Sequence, residues 1–524
     1  MPDSTPAASA PGPQPVPSAS RPVTGPPEAD SSWSVRKALR SPRRLTTEVL
    51  AGLITALALI PESIAFSIVA QVPVAMGLFT SAILAISIAF LGGRPAMASG
   101  AAGSVALVSA PLVVSQGEKG LDYLVVAVLL MAILQVLMGV LGITRLMRFI
   151  PRSVMVGFVN ALAILIALSQ LEHVLHVPWA VYPLVVLGIL VVVFLPKLTT
   201  VVPGPLVAVV LLTVISVFAG LTVPTVGGDG GLPDSLPTLF LPDVPLNLET
   251  LRIVFPVALA MALVGMMESL MTAKLVDDLT DTHSNKRREA WGLGLSNLVV
   301  GAFGGMGGCA MIAQTVVNVK EGGARTRIST FFSGVFILVL CLSLGEILGM
   351  IPMAALVAVL GVAAFRTFDW HSVRPSTLSR MPVSETAVMV LTVVVTVVTE
   401  NLAYGVIAGV LVASVLFVGR VAHLTRLERV DSSDADDERV YRVTGELLFA
   451  SSNDLATQFD YAGDAEAVRR VVIDLTEAHV WDASTVAALD AIETKYARHG
   501  VDVEIRGLNE DSAARHGRLS GELG

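Results

Sequence analysis

The sequence predicts an all-α polytopic membrane domain of fourteen spans, arranged as a seven-plus-seven inverted repeat, with a small cytoplasmic α/β domain behind it. Three observations carry this reading. Hydrophobic residues make up 53% of the 524 residues and charged residues 15%, against about 25% charged in an ordinary soluble domain. Apolar runs long enough to cross roughly 30 Å of hydrocarbon recur between residues 45 and 425. Two interruptions rich in small residues stand at equivalent places in two halves of that region. The net charge of −8 offers no basic patch, so nucleic acid is excluded as a partner. Cys309 and Cys341 both lie in apolar segments, which excludes a disulfide framework and a cysteine-based zinc site.

Residues 1–35 hold nine of the 29 prolines among Ser, Ala and Gly. No apolar run offsets the chain entropy there, so a disordered cytoplasmic tail is expected. It lacks the basic start and apolar stretch of a secretory signal. Within the transmembrane domain (45–425), spans are expected to begin near residues 45, 74, 123, 153, 180, 205, 253, 290, 327, 352, 384 and 402. Segments 100–115 and 309–320 are apolar but short, and small-residue stretches precede them. Each reads as an extended lead-in followed by a half helix, bringing the total to fourteen. The count has a check in charge placement. With fourteen spans, the basic loops at 36–44, 94, 145–152, 197, 286–288, 320–327, 366–380 and 420–429 all fall on one side. Glu118, Asp122, Glu172 and Glu400 fall on the other, with Lys119 and Arg252 as exceptions. Basic loops mark the cytoplasmic face, which puts both termini in the cytoplasm of a multi-pass cell-membrane protein.

Seven spans per half is an odd number, so the second half must be inverted. The two half helices then begin near the midplane from opposite sides, and paired interruptions of this kind point to a transporter site. Each helix start carries unpaired N–H groups and a partial positive charge, a natural place for an anion. Gly100, Ala101, Ala102, Gly103, Gly307, Gly308, Cys309 and Ala310 would let a ligand reach the backbone. Close helix packing is the other reading of such residues. Ionisable residues inside spans require a reason. Glu62 follows Pro61 in the first span. Glu268 lies about fifteen residues into the eighth, with Thr272 one turn further on the same face. Proton exchange at Glu268, oxygen ligation of a small cation by Glu268 and Thr272, and plain hydrogen bonding to helix ends all remain open. Gln314 and Asn297 fit interhelical hydrogen bonds or ligand contact. Lys274 faces elsewhere and snorkels to the interface.

Three stretches then resemble the SulP (sulfate permease) family of anion transporters. They are 50–66 (LAGLITALALIPESIAF), 268–280 (ESLMTAKLVDDLT) with 284–289 (SNKRRE), and 304–318 (GGMGGCAMIAQTVVN). The resemblance implies a UraA-like fold with a gate part and a core part, an elevator-like motion and a homodimer. It implies secondary active transport of a small inorganic anion such as sulfate or bicarbonate, coupled to protons or sodium. The implied substrate site comprises Glu62, Ala65, Phe66, Ala101, Ala102, Gly103, Ala310, Met311, Ile312, Ala313 and Gln314. Glu268 and Thr272 are the implied coupling-ion residues. Many members carry an arginine where Gln314 stands. Anion affinity here must therefore rest more on helix ends or on a co-bound cation.

An acidic linker is expected at 426–437 and a soluble domain at 438–512. Alternating apolar residues at 440–450, a buried run at 471–475, an amphipathic stretch at 485–497 and a further apolar run at 501–505 read as a β/α unit. This unit resembles a STAS domain. Ser484 is expected as a helix N-cap, His479 and Trp481 as packing residues, and the domain is expected to end soon after Glu510. There is no Walker A sequence and no nucleophile or metal constellation, so neither an enzyme nor a cofactor is expected. Two other functions fit the architecture. One is a nucleobase permease of the same fold, and the other is a non-transporting membrane sensor or scaffold.

Overall fold

A computed structural model describes residues 34–142, 150–198, 203–228, 235–245, 247–422, 425–430 and 437–521. The expected tail therefore lies outside the described residues except for its last two positions. The first half of the membrane part contains α1 (Val35–Arg40), α2 (Pro42–Val69), α3 (Val74–Leu91), strand β1 (Ser99–Gly100), α4 (Gly103–Ser115), α5 (Gly120–Leu141), α6 (Arg152–Ser169), α7 (Val181–Leu198) and α8 (Gly204–Phe218). The second half contains α9 (Leu248–Thr280), α10 (Lys286–Ala302), β2 (Cys309–Ala310), α11 (Ile312–Val316), α12 (Arg327–Ser343), α13 (Gly345–Gly349), α14 (Met353–Thr367), α15 (Pro375–Leu378), α16 (Val383–Thr399) and α17 (Leu402–Ala422). A π-helical turn, Val317–Glu321, extends α11. Among the described residues, seven helices are long and apolar enough to cross a membrane, and five more apolar helices have 10–17 residues.

Local chemistry sets the helix ends. The Asn247 and Asn285 side chains accept from the backbone N–H of Thr250 (2.8 Å) and Arg288 (2.9 Å) at the starts of α9 and α10. Gly142, at φ +74°, ends α5 in the left-handed region that suits glycine. The lead-in segments before α4 and α11 pair with each other: Ser99 faces Ala310 and Gly100 faces Cys309 in an antiparallel ladder. A Cβ on Gly308 would fall against the backbone of Gly100, so glycine is required for this approach.

The helices pack as two groups. In one, α10 lies against α5 and α3, α12 against α2 and α3, and α9 against α4 and α5. In the other, α16 packs on α6 and α17, and α14 on α6 and α7. The groups meet where α2 touches α8 and α14 and where α4 touches α6. Large apolar side chains such as Val186, Phe194, Val394 and Phe417 are exposed on outer faces, as a hydrocarbon solvent requires. At the basic end of the bundle two buried carboxylates fasten loops. Glu289 accepts from the N–H groups of Gly93 (2.7 Å) and Arg94 (2.9 Å), and Glu48 from those of Arg325 (2.8 Å) and Thr326 (2.9 Å).

The C-terminal domain is a four-stranded sheet in the order β3-β4-β5-β6, formed by β3 (Arg426–Val430), β4 (Glu438–Leu447), β5 (Arg470–Val480) and β6 (Asp502–Arg506). β3 runs antiparallel to β4, and the other pairs are parallel. Helices α18 (Phe449–Thr457), α19 (Tyr461–Ala467), α20 (Ala483–Arg498) and α21 (Glu510–Leu519) accompany it. Val443, Ile473, Leu475, Leu489 and Tyr496 form the core.

Three expectations are corrected here. The stretch 426–437 does not open as a linker: its first five residues are strand β3, because their backbone completes the ladder to β4 and Leu427 packs on the core; residues 431–436 lie outside the described residues. The domain does not stop at 512, since α21 is capped by Asn509, holds Val480 N–H through Ser512 Oγ (3.0 Å) and packs Leu519 on the core. The N-cap of α20 is Asp482, whose side chain accepts from Thr485 N–H (3.0 Å), and Ser484 lies exposed one residue into the helix. Trp481 packs on His479, with ring centroids 4.6 Å apart, and is 54% exposed.

Candidate functional site

A cavity of about 470 Å³ lies between the two helix groups. One wall comes from α2, α4, α9 and α11 through Glu62, Phe66, Gly103, Ser104, Glu268 and residues 311–314. The facing wall comes from α6, α7, α8 and α14, with Phe158, Leu162 and Val362 among its apolar side chains. Arg366 and Thr367, at the end of α14, and Glu321, at the end of the π-helical turn, line it as well. Among the described residues that line it, Arg366 is the one cation against three carboxylates, Glu62, Glu268 and Glu321.

The half helices supply its polar floor. The first-turn amides of α4 and α11 have no intrahelical acceptor, as at every helix start. Gly103 and Ser104 from α4, and Ile312, Ala313 and Gln314 from α11, bring those turns to the cavity surface. The residues just before them are committed elsewhere. Ala101 N–H donates to Ser81 Oγ (2.9 Å), Ala310 N–H to Ser269 Oγ (2.9 Å) and Met311 N–H to Ala98 O (2.9 Å).

Side chains tie the acidic groups to these turns. Ser104 Oγ donates to Glu268 Oε2, and Cys309 Sγ donates to the same oxygen at 3.2 Å. Thr272 Oγ1 lies 2.8 Å from Glu268 O and 3.2 Å from Ala310 O. Gln314 Nε2 donates to Glu62 Oε2, linking α11 to α2. Behind the floor, Asn297 brackets Gly308, donating to its carbonyl (3.0 Å) and accepting its N–H (3.0 Å), and also donates to Gln135 Oε1 (2.9 Å). Lys274 faces away and pairs with Asp278 at 3.2 Å.

Of the residues singled out in the sequence, Glu62, Phe66, Gly103, Glu268, Met311, Ile312, Ala313 and Gln314 line this one cavity. Ala101, Ala102, Ala310 and Thr272 are buried in the layer behind it. Ala65 turns to another face of α2, toward Gln170, Met353 and Leu356. Sequence reasoning missed Ser104, the Cys309 contact and Arg366. Ser104 carried one signal, a hydroxyl in the first turn of a half helix.

Comparison with known proteins follows this geometry. Residues 45–181 and 173–392 match the Sulfate permease family, and residues 429–519 match the STAS domain. The chain is 47% identical over 465 residues to "Putative sulfate transporter YbaR" of Bacillus subtilis (strain 168), covering 89% of this chain and 95% of that protein. It is 26% identical over 508 residues to "Bicarbonate transporter BicA" of Picosynechococcus sp., covering 86% of this chain and 87% of that one. The fold superposes on "The overall structure of SLC26A9" with a TM-score of 0.79 at 17% identity, over 90% of this chain and 86% of the other. The two sequence relatives carry the names of transporters, not of enzymes. The chain belongs to the sulfate permease family of membrane transport proteins, and its membrane domain is followed by a STAS domain.

Proposed function

We propose that the chain is a secondary active transporter of a small inorganic anion, sulfate, bicarbonate or a related oxyanion, bound between the half helices α4 and α11. The observation that carries this reading is the cavity itself. Two helix starts open into it, so N–H dipoles converge on one space walled by apolar side chains. In such surroundings those dipoles act far more strongly than in water. The relatives named as sulfate and bicarbonate transporters supply the substrate class.

The site residues divide into roles. First-turn amides at 103–104 and 312–314 hold the anion. Phe66 closes one side, with Glu62 held off the anion by Gln314. Glu268 with Thr272 carries the coupling ion, a proton or sodium, whose charge offsets the repulsion between carboxylate and anion. The group containing α2, α4, α9 and α11 is the moving core, and the group containing α6, α14, α16 and α17 the gate. The bundle has fourteen spans, the protein is a homodimer of the cell membrane, and both termini lie in the cytoplasm. The family match and the STAS domain favour this reading over a nucleobase permease.

Uptake of labelled sulfate and bicarbonate into proteoliposomes tests the proposal. Saturable uptake that unlabelled anion inhibits and uracil does not is the expected result. No uptake of any inorganic anion, with ligand binding retained, would favour the sensor reading.

A further inference from the structure

A second polar cleft lies away from the transport cavity, at the basic end of the bundle. It has a volume of about 300 Å³ and is lined by Ser41, Arg43, Arg44, Thr47, Glu48 and Thr326, among others. It opens where α1 meets the first turn of α2, the first membrane-crossing helix.

The cleft is basic despite Glu48. That carboxylate is consumed by the start of α12, where Oε1 accepts from Arg325 and Thr326 and Oε2 accepts from Ser329 N–H at 3.3 Å. The side chains of Arg43 and Arg44 are exposed, and Arg36, Lys37 and Arg40 precede them on α1.

The stripe along α2 has a direction. Arg43, Thr47 and Leu50 are four and three residues apart, so they share one helix face. From Arg43 to Leu50 the helix rises about 10 Å. Polarity along that rise passes from guanidinium to hydroxyl to an apolar side chain that is 51% exposed. Leu39 on α1, 57% exposed, adds a second apolar edge. This is the polarity order of a membrane lipid: phosphate, glycerol, acyl chain. A soluble anion would have no use for the apolar end.

We infer that this cleft binds the phosphate headgroup of an anionic phospholipid, with Arg43 and Arg44 on the phosphate and an acyl chain passing Leu50. The site anchors α1 and the start of α2 at the membrane interface, independently of which anion the protein carries.

The test uses the full-length protein in nanodiscs, with lipid retention read by native mass spectrometry. Wild type is expected to retain phosphatidylglycerol in preference to phosphatidylcholine. Each arginine removed should weaken phosphatidylglycerol binding roughly five-fold, so Arg43→Gln with Arg44→Gln loses roughly 25-fold. The double lysine variant should keep most of the affinity. If the double glutamine variant does not fold, Arg43→Gln alone should show its roughly five-fold loss. Equal retention of phosphatidylglycerol by wild type and the glutamine variants would overturn the inference. So would binding of inorganic phosphate that depends on both arginines and displaces the lipid, because the occupant would then be a free anion.

Discussion

The Ser104 hydroxyl donates to the Glu268 carboxylate, joining the first turn of half helix α4 to the middle of α9. The residue that would carry the coupling ion is thus bonded to the helix start that would hold the anion. If both are occupied as proposed, an ion at Glu268 or an anion at the α4 start would compete for the Ser104 hydroxyl. Removing one hydrogen bond to a charged group costs about 1.5–3 kcal/mol. Ser104→Ala should therefore destabilise the fold by about that much and lower gradient-driven uptake, per folded protein, roughly ten-fold or more. Initial-rate uptake beside a thermal unfolding curve checks this.

Gly308 lies where a Cβ would meet the carbonyl of Gly100, backbone against backbone. Neither side can yield without breaking the β1–β2 ladder. Gly308→Ala should destabilise the protein by about 1–3 kcal/mol and abolish uptake. Thermal unfolding together with uptake measures both effects. Normal values for both would show that the ladder is not needed.

Arg366 is the one cation among the described residues lining the cavity, and it donates to Val192 O at 3.2 Å. If the cavity takes an anion as proposed, Arg366, in the last turn of α14, would draw it in while the half-helix amides hold it. Arg366→Gln should raise KM by roughly five-fold with little change in maximal rate, and the difference should shrink at high ionic strength. An unchanged KM at low salt would rule this role out.

In the STAS domain, buried Asp464 accepts from Arg439, from Tyr441 OH (2.8 Å) and from Tyr496 OH (2.6 Å). Asp464→Ala removes an acceptor shared by the half-buried Arg439 and two phenols, and should cost the domain about 3–5 kcal/mol. Burial, reinforced by Asp464, pushes the Tyr441 pKa from 10.0 to about 12. Because the folded value is raised, this stabilisation is present in full below the ordinary tyrosine range and is lost as pH rises through about 12. Tyr441→Phe should weaken that alkaline dependence, as an alkaline unfolding titration would record.

Much of this arrangement was legible because the membrane restricts the alternatives. Apolar runs and two small-residue interruptions in equivalent places located the half helices within a few residues, and expensive carboxyls marked α2 and α9. Position around a helix was less legible. Glu62 and Phe66 are one turn apart and share the cavity, whereas Ala65, one residue earlier than Phe66, points about 100° away and belongs to another contact. Ala101 and Ala310 sit in the interruptions, but their N–H groups are taken by Ser81 and Ser269. Those acceptors come from distant helices that no local pattern reveals. Arg366 read as one more basic loop residue, since its distance from Glu62 depends on how two helix groups pack. The short charged strand β3 escaped notice because its pairing with β4 is a tertiary fact.

The central claim is that an anion at the half helices and an ion at Glu268 move together. Uptake of labelled sulfate and bicarbonate into proteoliposomes, under imposed proton and sodium gradients, for wild type and Glu268→Gln, tests it most directly. The account predicts that a gradient of one of these cations drives accumulation in wild type and drives none in the variant, which still binds anion. Gradient-driven accumulation that survives in Glu268→Gln would contradict it.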